Sequence, residues 1–103
     1  MLLHVTHVHT PESCPGPHPD RMKVLNEGFS KLDEAARANN IKVVSFAYTF
    51  PAHTGFFVID APSARAAQNF FGAIFPGMLA NVQMTPVVDL AEAKEVIAQM
   101  AAR

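Results

Sequence analysis

The chain has 103 residues, 50% hydrophobic and 17% charged, with eight Lys+Arg against nine Asp+Glu for a formal charge of −1. That length predicts one domain over 1–103, and the scattered, balanced charge excludes the electrostatic footprint of a nucleic-acid or anionic-membrane binder. Apolar runs stop short of the roughly 18 residues of a membrane span, and the opening lacks the basic residues of a signal peptide. The expected location is cytoplasmic, and an apolar content beyond what one small core hides favours a homodimer or higher homo-oligomer.

Leu2 to His9 alternates apolar and polar groups around Val5, Thr6 and Val8, which predicts a first strand. Thr10 to Asp20 then carries four prolines and a glycine, a composition that predicts a stiff loop without helix or sheet ladder. From an N-cap at Asp20, Met22, Leu25, Phe29, Leu32 and Ala36 recur at three- and four-residue intervals, predicting one amphipathic helix that stops at Asn39–Asn40. Ile41 to Phe50 reads as a second strand, with Val44, Phe46, Tyr48 and Phe50 on one face and Val43, Ser45, Ala47 and Thr49 on the other. A turn at Pro51–Ala52 leads into a third strand, His53 to Asp60, forming an antiparallel hairpin with the second. Asp60-Ala-Pro-Ser63 starts a helix through Ala64, Ala67, Phe70, Phe71 and Ile74, ended by Pro76–Gly77. Leu79 to Val88 is a fourth strand, placed at an edge by Pro86, and Asp89-Leu-Ala-Glu92 is a capping box for a last helix through Ala93, Val96, Ile97 and Met100.

The order β-α-β-β-α-β plus a helix predicts an α+β, ferredoxin-like fold with a four-stranded antiparallel sheet and helices on one face. By the count of apolar groups on both faces of the second and third strands, the helix-free face should also be apolar and be covered by a second sheet. Phe46, Tyr48, Phe50, Phe56, Phe57, Phe70 and Phe71 are expected to form core and dimer seam.

The opening Met-Leu-Leu-His-Val, the hairpin running into Phe57-Val-Ile-Asp-Ala-Pro-Ser63, and Phe75-Pro-Gly-Met78 before the last strand carry a family resemblance. On these motifs the chain resembles the dimeric α/β-barrel superfamily and, within it, the small muconolactone-isomerase-like proteins. His9 to Pro15, His-Thr-Pro-Glu-Ser-Cys-Pro, is similar to a segment shared by an uncharacterised subgroup of that fold. The resemblance implies a dimeric α/β barrel whose two sheets enclose a cavity, a frame used by lactone isomerases, haem-handling monooxygenases and chlorite dismutases. The Pro-rich Cys/His loop departs from the muconolactone isomerases, and fold analogy does not choose among these chemistries.

Five histidines and one cysteine are the chemically distinctive residues. His7 and His9, two apart, point to one face about 6.5 Å from each other along the strand, while His4 points to the other, where a satisfied core or helix-facing role is expected. Cys14 and His18 leave the same strand end on the proline-stiffened loop, and the expected antiparallel pairing of strands one and three brings His53 beside them. The predicted ligand shell is His7, His9, Cys14 and His53, with His18 as an alternative ligand. Mixed imidazole and thiolate donors suit copper, iron or zinc, or haem iron, and not magnesium or calcium. Glu12 is the acid placed to act as an outer ligand or proton shuttle, and Glu12 and Cys14 are the candidate catalytic groups.

The expected function is therefore a small transition-metal- or haem-binding protein, with a redox enzyme among its forms. The alternative is a metal-free isomerase or monooxygenase using histidine as general acid/base on a small hydrophobic molecule. A binding module without chemistry, and a reactive Cys14 thiolate, are the remaining readings.

Overall fold

In the computed structural model, which describes residues 1–78 and 80–103, the alternation of Leu2–Val8 forms β1, with Leu3, Val5 and His7 turned inward. A one-turn 3-10 helix at Pro11–Ser13 follows, then α1 at Pro19–Ser30, α2 at Leu32–Ala38, β2 at Lys42–Thr49, β3 at Thr54–Asp60, α3 at Ala64–Ile74, β4 at Asn81–Pro86 and α4 at Leu90–Ala101. The sheet is four-stranded and antiparallel throughout, in the order β2-β3-β1-β4. This is an α+β fold compatible with the ferredoxin-like arrangement, and β4 is an edge strand, where Pro86 withholds no needed hydrogen bond. The predicted start of the fourth strand, Leu79, lies outside the described residues.

The core lies between the sheet and the helices. Val5, Phe57 and Ile59 from the two central strands meet Phe70, Phe71 and Ile74 from α3 and Ala36 from α2. Phe57 sits at its middle, with ring centroids 4.7 Å from Phe46 and 5.0 Å from Phe71. Aromatic rings at these separations and tilted angles add to the burial energy.

Several local expectations are corrected by the backbone. The proline-rich segment is not free of helix: the Thr10 hydroxyl accepts the Ser13 amide at 3.3 Å and so caps the 3-10 turn. Pro19 occupies the first turn of α1 with His18 as N-cap, so Asp20 is a first-turn residue and not the cap. The single helix predicted through residue 38 is two helices, broken at Lys31 (φ −103°, ψ 13°). Asn40 does stop the second of them in the left-handed region, at φ 55°.

A β-bulge between Val43 and Ser45 shifts the face assignment of β2. Val43 shares the helix side with Phe46 and Tyr48, while Ser45 and Ala47 face the other way. The helix-free face is consequently mixed, combining Val8, Phe56 and Val58 with His4, Thr6, Ser45, Gln83 and Thr85. His4 is on that face, not toward the helices, because Leu3 and Val5 take the inner side of the strand.

α4 stands apart. Its cap forms as expected, Asp89 accepting the Glu92 amide at 2.8 Å, yet the helix has no buried residue and makes no extensive contact with any of the described elements. The molecule is accordingly elongated, 57 × 30 × 18 Å. No helix among the described residues is long and apolar enough to cross a membrane.

α1 approaches α3 closely at Gly28, where an added Cβ would stand 2.3 Å from the Ile74 carbonyl oxygen. Gly28→Ala must force the two helices apart and is expected to destabilise by about 2–3 kcal/mol. Gly72, in the interior of α3 with nothing within 4 Å of an added Cβ, is the converse case. Gly72→Ala is expected to stabilise by about 0.5–1 kcal/mol. Urea unfolding of both variants checks the pair, and a neutral Gly28→Ala would contradict the close helix crossing.

Candidate metal centre

The site forms where the β1–β3 ladder runs out. Val8 pairs with Thr54, and one step further the His9 amide donates to the His53 carbonyl at 3.2 Å. The two residues are thus directly opposite, and opposite residues share a face of the sheet. Their rings meet edge-on, centroids 5.0 Å apart, with His53 Nδ1 and His9 Nε2 at 3.2 Å. One imidazole donates its N–H to the lone pair of the other.

His53 has φ 51°, a left-handed conformation outside glycine. Histidine is among the residues that tolerate this region, at some cost in strain. The turn before it is held by the His53 amide donating to the Phe50 carbonyl at 3.2 Å and by the Thr54 hydroxyl donating to the Ala52 carbonyl at 2.8 Å. That backbone conformation starts β3 and sets the ring against His9.

The third member comes from the loop. The Cys14 amide donates to the Pro11 carbonyl at 3.3 Å, closing the 3-10 turn, and the His18 amide donates to the Pro15 carbonyl at 2.9 Å. Arg21 of α1 reaches back to the Glu12 carbonyl at 3.4 Å. These bonds fold the loop over the strand end, so that His9, Cys14 and His53 form one group whose ligand atoms all lie within 4.8 Å of one another. Two imidazole nitrogens on one tetrahedral ion, each at about 2.0–2.1 Å, stand roughly 3.3 Å apart. The 3.2 Å separation of His9 and His53 already matches that spacing.

The other sequence candidates lie elsewhere. His7, opposite Gly55 on β3, is buried and stacks on Phe75 with centroids 4.0 Å apart. His18 is exposed at the start of α1, without a side-chain capping bond. Glu12 is exposed and lines a separate groove with Asp20 and Arg21.

A cavity of about 320 Å³ opens beside the group, with His9 and Cys14 in its wall and His7 further along. It lies on the helix side of the sheet, between α1, the loop and β2, and is distinct from the space between two sheets that the barrel resemblance implies. Phe29, Phe46, Tyr48 and Phe75 line it, residues for which sequence reasoning expected core or seam, or made no assignment. Gly55 was the overlooked signal: a glycine inside a strand marks a place where side chains or a ligand need room.

The electrostatics favour neutral rings. Burial, and then the neighbouring His9, lowers the His7 pKa from 6.5 to about 4. Burial and then His53 lower that of His9. A neutral imidazole is the form that binds metal. Burial raises the Tyr48 pKa, and Cys14 adds to the effect.

The comparison with known families is decided by extent. The sequence pattern of a family described as a domain of unknown function, DUF3303, matches residues 5–101. The chain belongs to the DUF3303 family. No curated protein matches it.

The buried His7 gives this DUF3303 protein a pH signature. Its folded-state pKa, about 4, lies below the unfolded 6.5, so between these values the unfolded chain binds a proton that the native state refuses. Stability must fall as pH drops through that window, by up to about 3 kcal/mol from this group. Thermal unfolding of the metal-free protein from pH 7 to pH 4 is expected to show the loss, and His7→Leu to reduce the slope. An unchanged slope in that variant would place the responsible protons elsewhere.

Proposed function

We propose that this protein binds one transition-metal ion per chain through His9, Cys14 and His53, as a centre opening on an apolar cavity. The observation that carries the reading is the 3.2 Å approach of His9 Nε2 to His53 Nδ1, with the Cys14 sulfur in the same group. Binding releases the thiol proton and moves the proton between the rings to the far nitrogen of its own ring, so that both imidazoles ligate as neutral rings. Three protein donors leave a coordination position free, the arrangement of a catalytic or electron-transfer centre more than of a closed structural one. Two imidazoles and a thiolate suit zinc and copper; a copper(II)–thiolate bond is intensely coloured, and zinc and copper(I) are not.

The same reading includes a homodimer. Leu90, Ile97 and Met100 of α4 are 57–70% exposed, and an isolated helix of 12 residues is marginal in water unless its apolar side is covered. Val8, Phe56 and Val58 on the helix-free face are a matching apolar surface, and two copies related by a two-fold axis would cover both.

A metal-free general acid/base enzyme is the competing reading, favoured by the neutral, buried His7 in the cavity wall. Elemental analysis and the visible spectrum of protein purified without chelator separate the two. About one zinc or copper per chain is expected, lost in Cys14→Ser and in His53→Asn, which keeps a residue that accepts the left-handed backbone. Added ion at about 100 times its Kd should stabilise the native protein, but not these variants, by about 2.7 kcal/mol. Metal that is substoichiometric, unaffected by either substitution and not restored on addition would leave the acid/base reading. For the dimer, sedimentation equilibrium is expected to give two chains per particle and Leu90→Asp/Ile97→Asp to give one; a monomeric parent protein would remove that part.

A further inference from the structure

The cavity beside the metal group has a composition that specifies its occupant. Among the described residues, none of its lining is Lys, Arg, Asp or Glu, so away from the metal group a charged ligand would lose its hydration without a partner. Its walls are mainly rings: Phe29 lies 6.0 Å from Phe46 and 5.3 Å from Phe75 between centroids, and Met22 and Leu25 of α1 line it from the helix side. Ring edges and thioether sulfur both favour an aromatic guest over an aliphatic one.

The floor is Gly55. A Cβ there would meet ring atoms of Phe57, Tyr48 and Phe46 at 3.4, 3.5 and 3.7 Å. These are ordinary contact distances, so aromatic groups wall the space above the glycine without filling it. Of the polar lining, His9, Cys14 and Tyr48 gather at the metal end, where Tyr48 stacks over His9 at 6.4 Å and 13°, while His7 lies further along with its ring face against Phe75. The metal end is therefore able to satisfy a single oxygen, and the rest of the wall is carbon and sulfur apart from the His7 ring stacked on Phe75.

We propose that this cavity binds a small, uncharged, hydroxylated aromatic molecule, its ring over Gly55 between Phe46 and Phe75 and its oxygen directed at the His9–Cys14 end. The volume, about 320 Å³, is at the small end of ligand sites and suits one or two fused rings. The oxygen's partner rests on the metal reading, since the ion's free position lies at that end; the ring slot does not.

The probe is 2-naphthol, whose fluorescence is measurable in a protein with no Trp and one Tyr. It is titrated against zinc-loaded protein and against protein stripped by chelator. Saturable one-to-one binding is expected, weakened about tenfold or more by stripping. Decahydro-2-naphthol is expected to bind at least about tenfold more weakly than 2-naphthol in both forms, and 2-naphthoate at least about tenfold more weakly in the stripped form, where its carboxylate has no partner. Gly55→Val, which projects into the slot, is expected to abolish binding while zinc stoichiometry stays at the parent value. Leu25→Phe fills the space from the helix side and gives the same test if the strand does not accept valine. Absence of saturable binding, or binding that neither filling variant weakens, overturns the proposal and leaves the metal reading intact if zinc is retained. Naphthol binding that both variants abolish, in a protein that takes up no zinc, supports the slot and overturns the metal reading together with the oxygen's assignment.

Discussion

The register between β1 and β3 is the constraint on which the site depends. Val5 lies opposite Phe57 and Val8 opposite Thr54, and from these pairs it follows that His7 faces Gly55 and His9 faces His53. A slip of one residue would turn Leu3, Val5 and His7 outward and remove two of the most buried positions from the core. The burial that selects the fold thus also selects which histidines meet. No separate device is needed to bring His9 to His53; the ladder carries their backbones together, and the left-handed turn at His53 aims the ring.

The cavity follows from a second constraint, the way α1 is held. At its C-terminal end Gly28 lets the helix settle against Ile74, and Phe29 reaches Phe46 and Phe75. Toward its N-terminal end, Met22 remains 41% exposed, and Cys14, Pro15 and Gly16 of the loop stand beside it in the cavity wall. The helix therefore leaves a gap over β2 that aromatic rings line without closing. Prolines at 11, 15, 17 and 19 restrict the loop before folding, so presenting Cys14 costs less conformational entropy than it would on a flexible segment. Burial keeps His7 and His9 neutral, which suits both metal coordination and an uncharged guest.

The strands at Leu2–Val8 and Thr54–Asp60, the start of α3 after Asp60-Ala-Pro-Ser63, the cap at Asp89 and the stop at Asn40 were all legible in the residues, because each depends on neighbours within a few positions. The bulge at Val43–Ser45 and the break at Lys31 were not. Both stretches keep a clean hydrophobic period through the irregularity, and only packing against Ile59 and α3 reveals which residue is extra. The same bulge takes Val43 from the face of Ser45 and Ala47 to the helix side, which leaves the helix-free face of β2 less apolar than a simple count expects.

Residue chemistry and topology alone determined the fold class and a short list of soft ligands at one end of two neighbouring strands. They did so because hydrophobic period, turn residues and strand order are local or nearly local properties. Which members of that list meet was decided by tertiary structure: His9, Cys14 and His53 converge, while His7 stacks on Phe75 and His18 stays exposed. The reason is physical. Convergence within 4.8 Å depends on ring orientation, the fold-back of a proline loop and a single left-handed residue, and no periodic pattern encodes these. The cavity belongs to the same class, since it is the space that α1, the loop and the sheet leave between them.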